Sequence, residues 1–194
     1  MLMNIPTQLW INSNEDISLE ESMMKPVTNQ GNLGIKGGGG LWTSTYLDKE
    51  NGSDWVQWSL ANNFNCPVNN IWKGYLLEPK KNLRIYTIDS LEEMHMMFDK
   101  YGYEYLPLIQ QEGIDFEKMS LEYDGIHLTE NGQTVTRHGF NFFGDRTILK
   151  PEWQTKKMRN LYGWDVESIF HFRWNFKKII PVELLIESTY ESIE

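Results

Sequence analysis

One ten-residue segment limits the possible folds more than any other part of the chain. Residues 165–174 read DVESIFHFRW. In an extended strand successive side chains point to opposite faces. Val166, Ser168, Phe170, Phe172 and Trp174 then share one side, and Asp165, Glu167, Ile169, His171 and Arg173 share the other. The pattern predicts a strand over 164–176 with an apolar core face and an ionisable face, and so a protein built on a sheet. The ionisable face has two readings. Asp165 and Glu167 lie roughly 7 Å apart on one face, near enough to grip one ligand and to influence each other's pKa; alternatively, the charges belong to a solvated face.

The remaining elements follow from local chemistry. A short apolar stretch at 9–11 predicts an early strand, followed by a loop or short helix. Residues 41–46, LWTSTY, are β-branched and aromatic and predict a strand. At 53–61 a Ser53 or Asp54 cap precedes Trp55 and Trp58, three apart, which suits a helix with both indoles on its apolar side. Strands are expected at 72–77 and 83–88. Ser90 and Glu93 form a capping box ahead of Leu91, Met94, Met97 and Phe98 at helical spacing, predicting a helix over 90–101. A shorter helix is expected at 115–123 with Phe116 and Met119 inward, then a turn into a strand ending at Leu128. Asn131-Gly132 reads as a hairpin turn. Residues 137–159 read as a long ordered loop or a partner-facing insertion, and 181–194 as a final strand with an acidic tail. With no repeat and no composition break, residues 1–194 are expected to form a single α+β domain.

Composition narrows the partners. The chain of 194 residues is 40% hydrophobic and 23% charged, as in ordinary globular domains. A formal charge of −9 argues against a general electrostatic grip on nucleic acid or anionic lipid. One cysteine, Cys66, gives no intramolecular disulfide and suits a reducing cytoplasm. No segment reaches the roughly 18 apolar residues of a membrane span, so no membrane partner is expected.

Several chemistries find no motif. The glycines at 37–40 match neither the dinucleotide nor the Walker spacing and lead into a strand. They suit either a backbone passing close to a ligand or a flexible surface loop. His95, His127, His138 and His171 lack metal-ligand spacing, so no metal site is expected. No Gly-x-Ser-x-Gly elbow surrounds a serine. The eight tryptophans are read chiefly as core. Lys150, Lys156, Lys157 and Arg159 form a basic cluster, either a solvated face or a contact for an anionic partner.

Four pieces in order carry a resemblance: Lys25-Pro26 followed by GGLWTS at 39–44, SDWVQW at 53–58, EYDGIHL at 122–128 and YGWDVES at 162–168. In these the chain resembles small phage and bacterial proteins of the ADP-ribosyltransferase-like superfamily. The resemblance implies split β-sheets with flanking helices clasping NAD in a cleft, the NAD being consumed as substrate. It implies that Trp42, Thr43, Ser44 and Thr45 lie beside the nicotinamide end, with Tyr123 and His127 flanking the approach. Asp165 and Glu167 become the catalytic pair, one stabilising the positive charge that builds on the ribose and the other orienting or deprotonating the acceptor. The family usually supplies a His or Arg on the first strand. Here residues 9–13 offer neither, and Asn12 and Ser13 are expected to stand in by hydrogen bonding.

The implied activity is NAD-dependent transfer of ADP-ribose to a macromolecular acceptor, protein or nucleic acid, in phage–host conflict, with a cognate inhibitor as a further partner. Two alternatives stay open. One is a catalytically inactive binding protein on the same fold that inhibits a nucleoprotein or immune factor by occlusion. The other is an NAD glycohydrolase with water as acceptor.

Overall fold

Two ladders of strands meet on one short strand, and the rest of the architecture follows from that junction. The structure is a computed structural model describing residues 2–11, 18–30, 34–138 and 157–186. Its strands are β1 (Leu2–Met3), β2 (Gln8–Ile11), β3 (Leu41–Thr45), β4 (Ile71–Pro79), β5 (Leu83–Ile88), β6 (Gly102–Leu106), β7 (Gln111–Ile114), β8 (Gly125–Leu128), β9 (Ser168–His171) and β10 (Phe176–Leu185). The helices are α1 (Asp54–Ala61), α2 (Leu91–Tyr101), α3 (Phe116–Ser120) and α4 (Glu130–His138). Eight strands form one sheet in the order β1-β5-β8-β9-β3-β2-β4-β10, and β6 and β7 form a separate hairpin. Among the described strands, β5 and β8 pair in parallel and the other pairs are antiparallel. The chain is therefore α+β with a mixed, mostly antiparallel sheet.

Strand β3 joins the two halves. Its residues Leu41, Trp42 and Thr43 pair with His171, Phe170 and Ile169 of β9. Ser44 and Thr45 pair on the other edge with Leu9 and Gln8 of β2. Beyond that point Trp10 and Ile11 pair only with Tyr75 and Gly74 of β4. The sheet forks there.

The glycines at 37–40 explain how β3 starts. Gly39 has φ +66°, and a Cβ on it would fall 2.0 Å from the Pro26 carbonyl oxygen. The Gly40 N–H donates to the Lys25 carbonyl at 3.0 Å, and a Cβ on Gly40 would meet Phe170 at 2.3 Å. The loop thus approaches protein closely and is packed, not a loose surface loop. Lys25-Pro26 and the glycines form one packed unit that sets the entry of β3.

The core beneath β8 and β9 gathers Met94, Met97, Phe98, Phe116, Ile126 and Phe170, all buried. Helix α2 presents its buried residues at the predicted spacing. The Ser90 hydroxyl accepts from the Glu93 N–H, and the Glu93 carboxylate accepts from the Asp89 N–H at 2.7 Å. The shorter α3 is capped by Asp115, which accepts from the Lys118 N–H.

Four expectations are corrected. The strand expected at 164–176 is only Ser168–His171. The Asp124 carbonyl accepts from the Phe172 N–H at 2.9 Å and from the Asn175 amide at 2.8 Å, which turns the chain out of the ladder before it re-enters beside β4 as β10. The last strand therefore starts at Phe176, earlier than 181, and ends at Leu185; residues 187–194 lie outside the described residues. Asn131-Gly132 is no hairpin turn but part of α4. The Thr129 hydroxyl accepts from the Gly132 N–H at 2.9 Å, and a Cβ on Gly132 would meet the Ile88 carbonyl oxygen at 2.0 Å. Here a cap and a close helix-to-strand contact use the same residues that favour a turn. In α1 the buried side carries Val56 and Ser59, whereas Trp55 and Trp58 stack on each other, ring centroids 5.1 Å apart, only partly buried.

Candidate functional site

Where the β3–β9 ladder ends, a side chain continues it. Thr43 pairs with Ile169, so the next position of that register would set Thr45 opposite residue 167. The Thr45 N–H instead donates to the Glu167 carboxylate at 2.8 Å. The single Ser44 Oγ proton is shared between the same carboxylate oxygen at 3.2 Å and the Glu167 carbonyl at 3.0 Å. The second oxygen accepts from Thr45 Oγ1 at 3.0 Å and from His127 Nε2, on β8, at 2.7 Å. Glu167 is 8% exposed. Burial pushes its carboxyl up, but the His127 hydrogen bond, the Thr45 N–H and the His127 field outweigh that and hold it below the ordinary carboxylate range. A carboxylate is kept charged inside the sheet.

Gln8 links this group to a second buried side chain. Thr43 Oγ1 donates to Gln8 Oε1 at 2.8 Å, and Gln8 Nε2 donates to Thr45 Oγ1 at 3.2 Å and to the Pro6 carbonyl at 3.2 Å. With its one proton given to Gln8, the Thr43 hydroxyl must accept from His171 Nε2, 3.1 Å away. That fixes His171 as the neutral Nε2–H tautomer. Burial, with the field of His127, pushes the His171 pKa down to about 3. A directed chain thus runs from His171 through Thr43, Gln8 and Thr45 to Glu167, crossing β9, β3 and β2. Gln8 is fully buried. Sequence reasoning missed it, although a glutamine opening the otherwise apolar run QLWI was the available signal.

Beside this network the fork holds a cavity of about 300 Å³. Leu9, Trp10 and Ile11 line one side, and Trp42, Thr43 and Ser44 the other. Trp55, Trp164, Asp165 and Ser168 close it, together with Lys36. The Trp42 ring stacks on Phe170 at 4.5 Å and meets the Trp164 ring edge-on at 4.6 Å. Lys36 Nζ lies 3.8 Å from Asp165 Oδ2. Thr43 and Ser44 belong to both the cavity and the network.

The structure brings Thr43, Ser44, Thr45, His127 and Glu167 together, with Trp42 and Asp165 in the adjoining cavity. Three readings change. Asp165 and Glu167 do not form one carboxylate pair on a regular strand face, because residues 165–167 precede β9: Asp165 faces Lys36 in the cavity, and Glu167 turns to β3 and His127. The face bearing Glu167, Ile169 and His171 is buried and not solvated. Tyr123 does not flank the site. It precedes β8, its ring against Tyr86 at 5.3 Å and Tyr101 at 6.3 Å. Asn12 and Ser13 lie outside the described residues.

The basic cluster is also revised. Arg159 is 5% exposed and hydrogen-bonded to Glu112, and it pairs with Asp99 at 2.6 Å. Lys157 pairs with Glu112 at 2.7 Å. These two cations anchor the segment after 156 to the β6–β7 hairpin instead of forming a free anionic contact. Lys150 and Lys156 lie outside the described residues.

Among the described residues no helix is long and apolar enough to cross a membrane. Comparison with family models, curated proteins and solved structures gives no match.

Proposed function

We propose that the chain is an NAD-using ADP-ribosyltransferase acting on a macromolecular acceptor. The observation that supports it best is a buried, ionised Glu167 held by Ser44, Thr45 and His127 beside an indole-lined cavity where a sheet forks. The fork is what a split-sheet fold with a cofactor cleft requires. The cavity is at the small end of ligand pockets, which suits the nicotinamide and ribose half of NAD and not the whole dinucleotide. Trp42, half-buried on the cavity wall, supplies an indole for the ring.

In the reaction the bond between ribose C1′ and the nicotinamide nitrogen breaks, its electron pair leaving on nicotinamide. The acceptor's lone pair forms the new bond to C1′, and the acceptor proton passes to a base. Positive charge on the ribose peaks midway. Glu167 opposes that charge, and because its donors are preset no reorganisation is needed at that moment. Asp165, lining the cavity, is placed to take the acceptor proton. The test is nicotinamide release in the presence of a cell extract as acceptor source: it should fall at least roughly a hundredfold in Glu167→Gln, the scale of one lost electrostatic group. Equal release by folded wild type and Glu167→Gln would refute the assignment.

A non-catalytic binding protein on the same fold is favoured by one observation. The four donors on Glu167 already occupy both of its oxygens, and Ser44 stands between it and the cavity lining. On that reading the carboxylate joins the two half-sheets, and Glu167→Gln changes stability without changing inhibition of the partner.

A further inference from the structure

The cavity joins two recognition chemistries. Trp42, half-buried, lines it with Thr43, Ser44 and Ser168. Lys36 is the cation among the described residues that line it, its Nζ 5.9 Å from the Trp42 ring centroid. Its backbone is held on both sides. The Ile35 carbonyl accepts from Trp164 Nε1 at 2.7 Å, and Gly37 is so close to Phe170 that a Cβ would fall 2.5 Å from the ring. The base of the lysine is therefore fixed while its ammonium, about a third exposed, can reach a ligand. Asp165 Oδ2, 3.8 Å away, is a loosely paired counter-charge that keeps the cation at the cavity.

We propose that Lys36 is the phosphate-holding residue of this cavity and makes it selective for a nucleotide over the corresponding nucleoside. The planar ring lies against Trp42, and the 5′-phosphate is held by the neighbouring Lys36. An ammonium on a stem four carbons long is a point charge suited to phosphate, and its desolvation beside an indole face strengthens the bond. The identity of the ring as nicotinamide rests on the NAD reading above; the ring-plus-phosphate selectivity does not.

The experiment titrates nicotinamide mononucleotide, nicotinamide riboside and AMP into wild type, Lys36→Met and Lys36→Arg, following tryptophan fluorescence and calorimetry. Wild type should bind the mononucleotide at least roughly tenfold more tightly than the riboside, the scale of one charge-assisted hydrogen bond. Lys36→Met should erase that difference and the salt dependence that goes with it, and Lys36→Arg should retain both. A circular dichroism spectrum and melting temperature matching wild type show that the variant is folded. If wild type binds mononucleotide and riboside equally, or Lys36→Met keeps the preference, the role of Lys36 is overturned while the NAD reading stands. If AMP alone binds and depends on Lys36, the role stands and the nicotinamide reading falls. Binding of none of the three overturns both.

Discussion

His127 Nε2, on β8, lies 2.7 Å from Oε1 of Glu167, the residue just before β9 and 40 positions away in the chain. This contact ties β8 to the end of β9 and helps keep a buried carboxylate charged. The pH dependence of stability follows from it. Glu167 titrates below its ordinary range when folded, so its contribution is complete above the unfolded pKa of about 4.3 and is lost as pH falls through the folded value.

His171 acts in the same direction over a higher window. The unfolded chain takes up its proton below about pH 6.5, whereas the folded chain does so only near 3. The unfolded state therefore binds more protons between those values, and stability declines as pH falls across them. His95, held down by burial and by Arg159, adds the same sign. Urea unfolding of His171→Phe between pH 7 and 5 should show a shallower decline than wild type. Glu167→Gln should lose the part of the wild-type decline that lies below about pH 5.

Gln8→Leu removes the link between Thr43 and Thr45 at nearly constant volume. Buried Thr43 and half-buried Thr45 each lose one of two hydroxyl partners and keep the other, so unfolding free energy should fall by about 1 to 3 kcal/mol, the scale of two lost hydrogen bonds. Nicotinamide release should fall with it, since Thr45 Oγ1 is then held only by its bond to Glu167. Unaltered stability would show that Gln8 is not a structural link.

Gly39→Ala tests the unit formed by Lys25-Pro26 and the glycines. Both the positive φ and the 2.0 Å approach to the Pro26 carbonyl oppose a side chain. Destabilisation by more than about 2 kcal/mol is expected. A normal melting temperature would mean that the loop is loose.

Arg159→Met should destabilise by about 3 to 5 kcal/mol, because Glu112, 5% exposed, loses its buried counter-charge. Double replacement with Glu112→Leu should recover much of the loss. No recovery would place the effect of Arg159 elsewhere.

Elements whose signal was local were readable in the sequence. The capping box at Ser90 and Glu93, the β-branched run at 41–45 and the strand at 83–88 depend on neighbours in the chain, and each is present. The residues of the Glu167 network were partly readable, since Thr43, Ser44, Thr45, His127 and Glu167 all lie in the motifs that carry the resemblance. Their connections were not. Gln8 acts through partners 35 and 37 residues away, and Lys36 gains its position from Trp164 and Phe170, so neither has a local signature. Alternation at 165–174 misled for a related reason: Asp124, outside the segment, captures Phe172 and Asn175 and ends the strand. Thr129 likewise turns a hairpin dipeptide into the first turn of α4.

The most direct test of the central claim is nicotinamide release from NAD by purified protein supplied with a cell extract, comparing wild type with Glu167→Gln at matched folded fraction. Wild type should release nicotinamide, and the variant should lose roughly a hundredfold or more of that release. Absence of release by folded wild type, with inhibition of a partner untouched by Glu167→Gln, would contradict the claim.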